Sequence, residues 1–299
     1  MHSILHEETV ESRTLIKRNS SLMLFLRRYP VIPTLCLLPV VVCGLFGPLF
    51  YPHDPTLMNL EGALKPPVFM SSGKFSYFLG TDHMGRDLLS RLIEGARISL
   101  IIAVFGVFFS GFIGCLLGIL AGYLGKITDE VIMRIVDAQM AIPAILLSIL
   151  LATVLGPGVI TIIISISVVF WTGYARVIRG ETLSLKQRDF VTLAKVTGCS
   201  KARIIMKHVL PNLVSTITVL ATLQLGSAIL IEASLTFLGV GLQPPATAWG
   251  LMISEGRTYL ATAWWIPTFA GLAILVTVLG ANLLGDWLRD KFDPKLRQL

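Results

Sequence analysis

SLKQRDFVTLAKVTGCSKARIIMKHVLPN, residues 184–212, is a polar stretch set between two long apolar runs. Within it Phe190, Leu193, Ala194 and Thr197 fall at helical spacing. After Gly198 a second set follows at Ala202, Ile205, Met206, Val209 and Leu210, so the pattern predicts helix, turn, helix. Gly198 is where a left-handed turn costs least, Ser200 is placed to cap the second helix, and Pro211 marks the entry to the next apolar run. From residue 176 onward the cations Arg176, Arg179, Lys186, Arg188, Lys195, Lys201, Arg203 and Lys207 face only Glu181 and Asp189. A basic loop of this kind either anchors the cytoplasmic side of a membrane protein or offers a docking surface. The pattern alone leaves both open.

The rest of the chain decides the class. Of 299 residues, 54% are hydrophobic and 14% charged, too apolar for a soluble globule and too long for a single anchor. Six runs approach the roughly 20 apolar residues that cross a bilayer: 31–50, 98–124, 132–155, 159–174, 213–238 and 267–287. The expected fold is an all-α, polytopic membrane bundle of six transmembrane helices. With the N-terminus inside, Arg13, Lys17, Arg18, Arg27, Arg28, Lys126, Arg134, the eight loop cations, Arg289, Lys291, Lys295 and Arg297 lie on the cytoplasmic side. Lys65, Lys74, Arg86, Arg91, Arg97 and Arg257 lie outside, a ratio of 19 to 6 that orients both termini to the cytoplasm. The net charge of +7 then reflects short loops beside spans and anionic lipid, and nucleic acid is set aside. Cys36, Cys43, Cys115 and Cys199 show neither disulfide nor zinc spacing. The first run follows a polar tail and no small-residue cleavage site follows it, so it reads as a retained span.

In order, we expect a cytoplasmic tail over 1–30 with a short interfacial helix, a first span over 31–50, and an outer loop over 51–97. A core of five spans over 98–288 carries the basic loop 176–212, and a cytoplasmic tail over 289–299 follows. In the outer loop Leu88, Leu89, Leu92, Ile93 and Ala96 form an apolar stripe, which predicts a short amphipathic surface helix. Its charges pair Asp87 with Arg91 and Arg91 with Glu94 on a solvated face. Gly106, Ser110, Gly114, Gly118 and Gly122 recur every fourth residue and make a small-residue face for close packing in lipid. In the third span Arg134 and Asp137 are spaced to pair, Pro143 predicts a kink, and Gly156-Pro157-Gly158 predicts an outer turn. The fifth span is the most polar. Thr218, Thr222, Gln224 and Glu232 are candidates for a translocation path, Glu232 foremost because an ionisable group within a span is functional by default. The alternatives for Glu232 are a partner on a neighbouring helix or protonation. His83 lacks a second ligand at metal-site spacing, and no metal site is expected.

Several blocks resemble a known family. Ala194, Gly198 and Leu210-Pro211 are spaced as in the EAA loop of ABC-importer permeases, with Thr192 and Leu193 at the name-giving Glu and first Ala, and His208 at the usual Ile. LGTDHMGRD at 79–87, EASLTFLGVGLQPP at 232–245 and GDWLRDKFDPKLR at 285–297 resemble the dipeptide/oligopeptide type, in its second-permease form. The resemblance implies the type I importer fold, a second homologous permease, two ATPase subunits that hold ATP and Mg, and a periplasmic or lipid-anchored solute-binding protein, all in the bacterial inner membrane. It also implies that Phe190, Leu193, Ala194, Lys195, Gly198, Ser200, Lys201, His208 and Pro211 form the coupling surface, with Leu193 and Ala194 facing the ATPase cleft.

The chain itself offers no chemistry for ATP. The nearest P-loop candidate, Gly125-Lys126, has Leu120 where the first Gly is needed and Ile127 where Ser or Thr is needed. No zincin helix or nucleophile elbow is present. The expectation is a non-enzymatic permease for di- or oligopeptides. Nickel or glutathione are alternative cargoes, and an ion-coupled secondary transporter or a membrane enzyme are alternative classes.

Overall fold

A computed structural model describes residues 29–70 and 75–292. The interfacial helix expected in the N-terminal tail and most of the C-terminal tail lie outside the described residues. The first span is α1, Val31–Phe46, closed by a 3-10 turn at Gly47–Leu49. After the outer loop come α2 (Leu88–Leu124), α3 (Lys126–Met140), α4 (Ala144–Leu155) and α5 (Val159–Lys186). The basic loop holds α6 (Asp189–Val196) and α7 (Lys201–Ile204), and a π-wound segment Ile205–Val209 joins α7 to α8 (Leu210–Phe237). A short outer helix α9 (Trp249–Gly256) precedes the last span, α10 (Trp265–Phe292). Among the described residues, β-type pairing is limited to one isolated bridge between Thr81 and Asp87. Among the described residues five helices are long and apolar enough to cross a membrane, and α3 with α4 makes a sixth if the bent pair is one span. The fold is an all-α membrane bundle.

Its centre is the contact of α2 with α5, set by the small-residue face. A Cβ on Gly106 would lie 2.7 Å from Ile166 Cγ2, on Gly118 2.7 Å from the Ala175 carbonyl, and on Gly122 2.8 Å from Thr182 Cβ. At Gly114 it would run into the Trp171 carbonyl. Lipid tails are as apolar as Leu, so only such close approach gives dispersion energy that the bilayer does not already supply. α8 lies against α2 and α10, and α1 also lies against α2 and α10.

Three local expectations are corrected. The surface helix is not separate, because its stripe runs in phase into the second span and α2 is one helix of 37 residues capped by Asp87, whose carboxylate accepts from Ser90 N at 2.9 Å. The third span is broken rather than kinked. Pro143 has no N–H to give and disfavours helix at Ile142, and α3 and α4 meet at 89°. Asp137 pairs with Arg176 of α5, not Arg134, while Asp129 takes a two-pronged grip on Arg179 at 2.6 and 2.7 Å.

Candidate functional site

The basic loop folds as α6, a turn and α7. Gly198 has φ +80°, the left-handed region that a side chain resists, and the Ser200 hydroxyl accepts from Arg203 N at 3.4 Å to cap α7. Val191 and Ala194 are buried against the bundle, Phe190 packs beside the His208 ring at 6.3 Å between centroids, and Lys195 lies against the Lys186 carbonyl. Leu193 and Val196 point outward, 64% and 80% exposed. Lys201 and Pro211 are exposed, and Pro211, in the first turn of α8, opens no gap: Lys201–Phe237 runs as one 37-residue helix. Ala194 therefore differs from its expected place. A helix seated on one face cannot show residues 193 and 194 to the same partner, since neighbours on a helix sit about 100° apart. The sequence reading missed Val196, although its place three residues after Leu193 marks the same face.

On the opposite end, the outer loop closes over a buried ionic cluster. The Asp82 carboxylate accepts from Arg86 Nε at 2.6 Å and from Arg91 Nη1, and Glu255 of α9 accepts from Nη2 of both arginines at 2.9 Å. Asp82 and Arg91 are wholly buried. Burial alone would push the Asp82 carboxyl up, but Arg91, Arg86 and the Arg86 N–H hold it below the ordinary aspartate value. The solvated pairs expected for Arg91 are absent: Asp87 caps α2, and Glu94 accepts from the Tyr51 hydroxyl. Trp249 Nε1 bonds the Leu92 carbonyl at 3.0 Å and Trp265 Nε1 the Thr81 carbonyl at 3.2 Å, so loop, α2, α9 and α10 form one unit. Asp82, His83 and Glu255 could bring ligand atoms within 4.8 Å of one another. Two guanidiniums already neutralise those carboxylates, so a metal ion would have to displace them.

Within the span, Thr218 and Thr222 spend their hydroxyls on carbonyls of their own helix, at 2.8 and 2.7 Å. Glu232 is fully buried at the α8–α2 contact and accepts from Ser99 Oγ at 2.9 Å and Thr236 Oγ1 at 3.1 Å. This is the alternative expected for it, a partner on a neighbouring helix, here Ser99 of α2. Gln224 differs. It borders a cavity of about 300 Å³ at the break between α3 and α4, together with Gln139, Met140, Ile142 and Thr172.

A family model described as the inner membrane component of binding-protein-dependent transport systems matches residues 114–298. The chain belongs to that family. Among its relatives, the di/tripeptide transport system permease protein DppC of Pseudomonas aeruginosa is 43% identical, over 88% of this chain and 87% of its own. The dipeptide permease protein DppC of Haemophilus influenzae is 40% identical over 91% and 92%, and the oligopeptide permease protein OppC of Bacillus subtilis 38% over 87% and 83%. An inward-facing structure of the MetNI methionine ABC transporter superposes with a TM-score of 0.57 at 19% identity, over 69% of this chain and 98% of that one. That likeness concerns the fold, and it agrees with the type I importer bundle. The chain is a multi-pass permease component of an ABC importer.

Proposed function

We propose that this permease pairs with a second, homologous one to form the translocation path for di- and oligopeptides, which a solute-binding protein delivers at the outer face. Two ATPase subunits at the inner face hold ATP and Mg and supply the energy. The observation that carries the reading is the seated α6–turn–α7 unit with Leu193 and Val196 bare to solvent. Neighbouring apolar side chains exposed on an otherwise basic loop mark an interaction site. The relatives named for dipeptides, di/tripeptides and oligopeptides support the cargo.

Closure of the ATPase dimer on ATP would displace the loop, and with it the cytoplasmic end of the unbroken Lys201–Phe237 helix. The paired permeases then exchange inward- for outward-open access. Both termini lie in the cytoplasm, from the cation asymmetry. The test is reconstitution of the chain with its partners in proteoliposomes. Labelled dipeptide should enter only with ATP on the loop side and the loaded binding protein opposite. An assembled complex that hydrolyses ATP yet carries no peptide would overturn the cargo. Reporter fusions at Lys65 and Thr258 that are active only in the cytoplasm would overturn the orientation.

A further inference from the structure

The break between α3 and α4 leaves backbone carbonyls without helical partners. Among the described residues no backbone N–H reaches the carbonyls of Met140, Ala141 or Ile142. Carbonyls without donors cannot face lipid tails, so the break must lie against protein or line a wet cavity. The cavity of about 300 Å³ is there, bordered by Met140 and Ile142 on one side and by Gln224 on the other.

The two glutamines at this cavity are in different states. Gln139 is occupied: its amide N–H₂ donates to the Val168 carbonyl and its oxygen accepts from Trp171 Nε1 at 2.9 Å, which fastens the break to α5. Gln224, half-buried, has no hydrogen-bond partner among the described residues. It lies near the middle of the 28-residue α8, and Gly173 across from it leaves room, since a Cβ there would sit 3.6 Å from the Gln224 amide nitrogen. A carboxamide with both ends unengaged offers one acceptor and two donors. That is the complement of a peptide unit, which offers one N–H and one C=O.

We propose that Gln224, with the open carbonyls of Met140 and Ile142, hydrogen-bonds the backbone amide of a peptide in transit. Recognition of the main chain at this site accepts peptides of differing side chains. It separates a peptide from an isosteric ester, which lacks the N–H. The inference rests on the peptide reading above, and it adds the group recognised and the residue that recognises it. No ionic contact is involved, since among the described residues no charged one borders the cavity.

The test uses the complete importer in proteoliposomes with saturating binding protein, a labelled dipeptide and its depsipeptide, in which an ester oxygen replaces the amide N–H. The binding protein is common to all arms, so any change in the peptide-to-ester ratio between variants belongs to the permease. Gln224→Met keeps length and removes both hydrogen-bonding ends. It should slow peptide uptake by about three- to tenfold, the range for one or two lost hydrogen bonds. Ester uptake should change less, and ATP hydrolysis stimulated by the loaded binding protein should persist. Gly173→Val, which crowds the Gln224 amide from the other helix, should lower the same ratio and covers the case in which Gln224→Met does not assemble. Wild-type uptake that excludes peptides altogether would sink the cargo reading before any variant is compared. Normal peptide uptake by wild type, with the peptide-to-ester ratio unchanged in an assembled variant, overturns the role of Gln224 alone.

Discussion

Leu193 gives the sharpest measure of whether the basic loop docks or merely anchors. It stands 64% exposed on a helix whose neighbours Val191 and Ala194 are buried. Full burial of a leucine side chain is worth about 1.5–3 kcal/mol, so covering the exposed two-thirds contributes roughly 1–2 kcal/mol. Leu193→Ala should weaken association with the ATPase subunits by about 5–30-fold. Leu193→Lys should do more, since an unpaired charge would enter a desolvated contact. Neither change touches the packing under α6, so insertion and abundance should hold. The control is Leu260→Ala, a like change at an exposed leucine on the outer side, which should bind as wild type. Association is read by microscale thermophoresis between the detergent-solubilised permease pair and purified ATPase, with stimulated hydrolysis as the second readout. Wild-type affinity and stimulation in both Leu193 variants would refute docking through this face and leave the loop an anchor.

Further outcomes are expected elsewhere. Gly114→Val drives a side chain into the Trp171 carbonyl on α5 and should cost about 1–3 kcal/mol, seen as a lower melting temperature in detergent, whereas Gly271→Ala, with nothing within 4 Å of the added carbon, should melt as wild type. Arg91→Met leaves Asp82 and Glu255 sharing Arg86 and should cost about 3–5 kcal/mol, read as protease sensitivity of the outer loop; an uncleaved loop at wild-type melting temperature would contradict the buried pairing. Because the Asp82 carboxyl is held below its usual value, its contribution is complete above about pH 4 and falls away as pH drops through the lower folded value. Melting temperature against pH should show that acid arm in wild type and a smaller one in Asp82→Asn. Glu232→Leu strands the Ser99 and Thr236 hydroxyls and should lower abundance and uptake together, while Glu232→Gln keeps both; uptake lost at normal abundance would return Glu232 to the path.

What could be read in the sequence depended on the range of the interaction. Gly198, Ser200 and the helix–turn–helix around them follow from local rules, since a left-handed turn and a cap act within a few residues. The face from Gly106 to Gly122 was legible for the same reason, a period of four on one helix. Arg91 misled because acids stood at pairing distance on its own helix, whereas its partner Glu255 lies 164 positions away. Pro143 announced a disturbance and not its size. The 89° break is sustained by Gln139, which reaches α5 through contacts 29 and 32 residues along the chain. Glu232 looked functional because hydropathy sees a charge in a span and does not see Ser99 opposite it.

Rigidity is unevenly placed, and that bears on how loop and path communicate. The outer end is fixed by buried ion pairs and two indole hydrogen bonds, and α2 meets α5 at Gly106, Gly114, Gly118 and Gly122 too closely for an added carbon. The helix Lys201–Phe237, about 55 Å long at 1.5 Å per residue, joins the exposed loop to the depth of Gln224 without a break. Its one irregularity is the π-wound stretch Ile205–Val209, next to the loop, where the hydrogen-bond register is already off that of an α-helix. Beyond it the helix from Leu210 to Phe237 is regular, so α8 moves as one rod. Displacement of the loop can therefore reach Gln224 through a stiff element, while the α2–α5 pair stays as the fixed frame against which that movement is made.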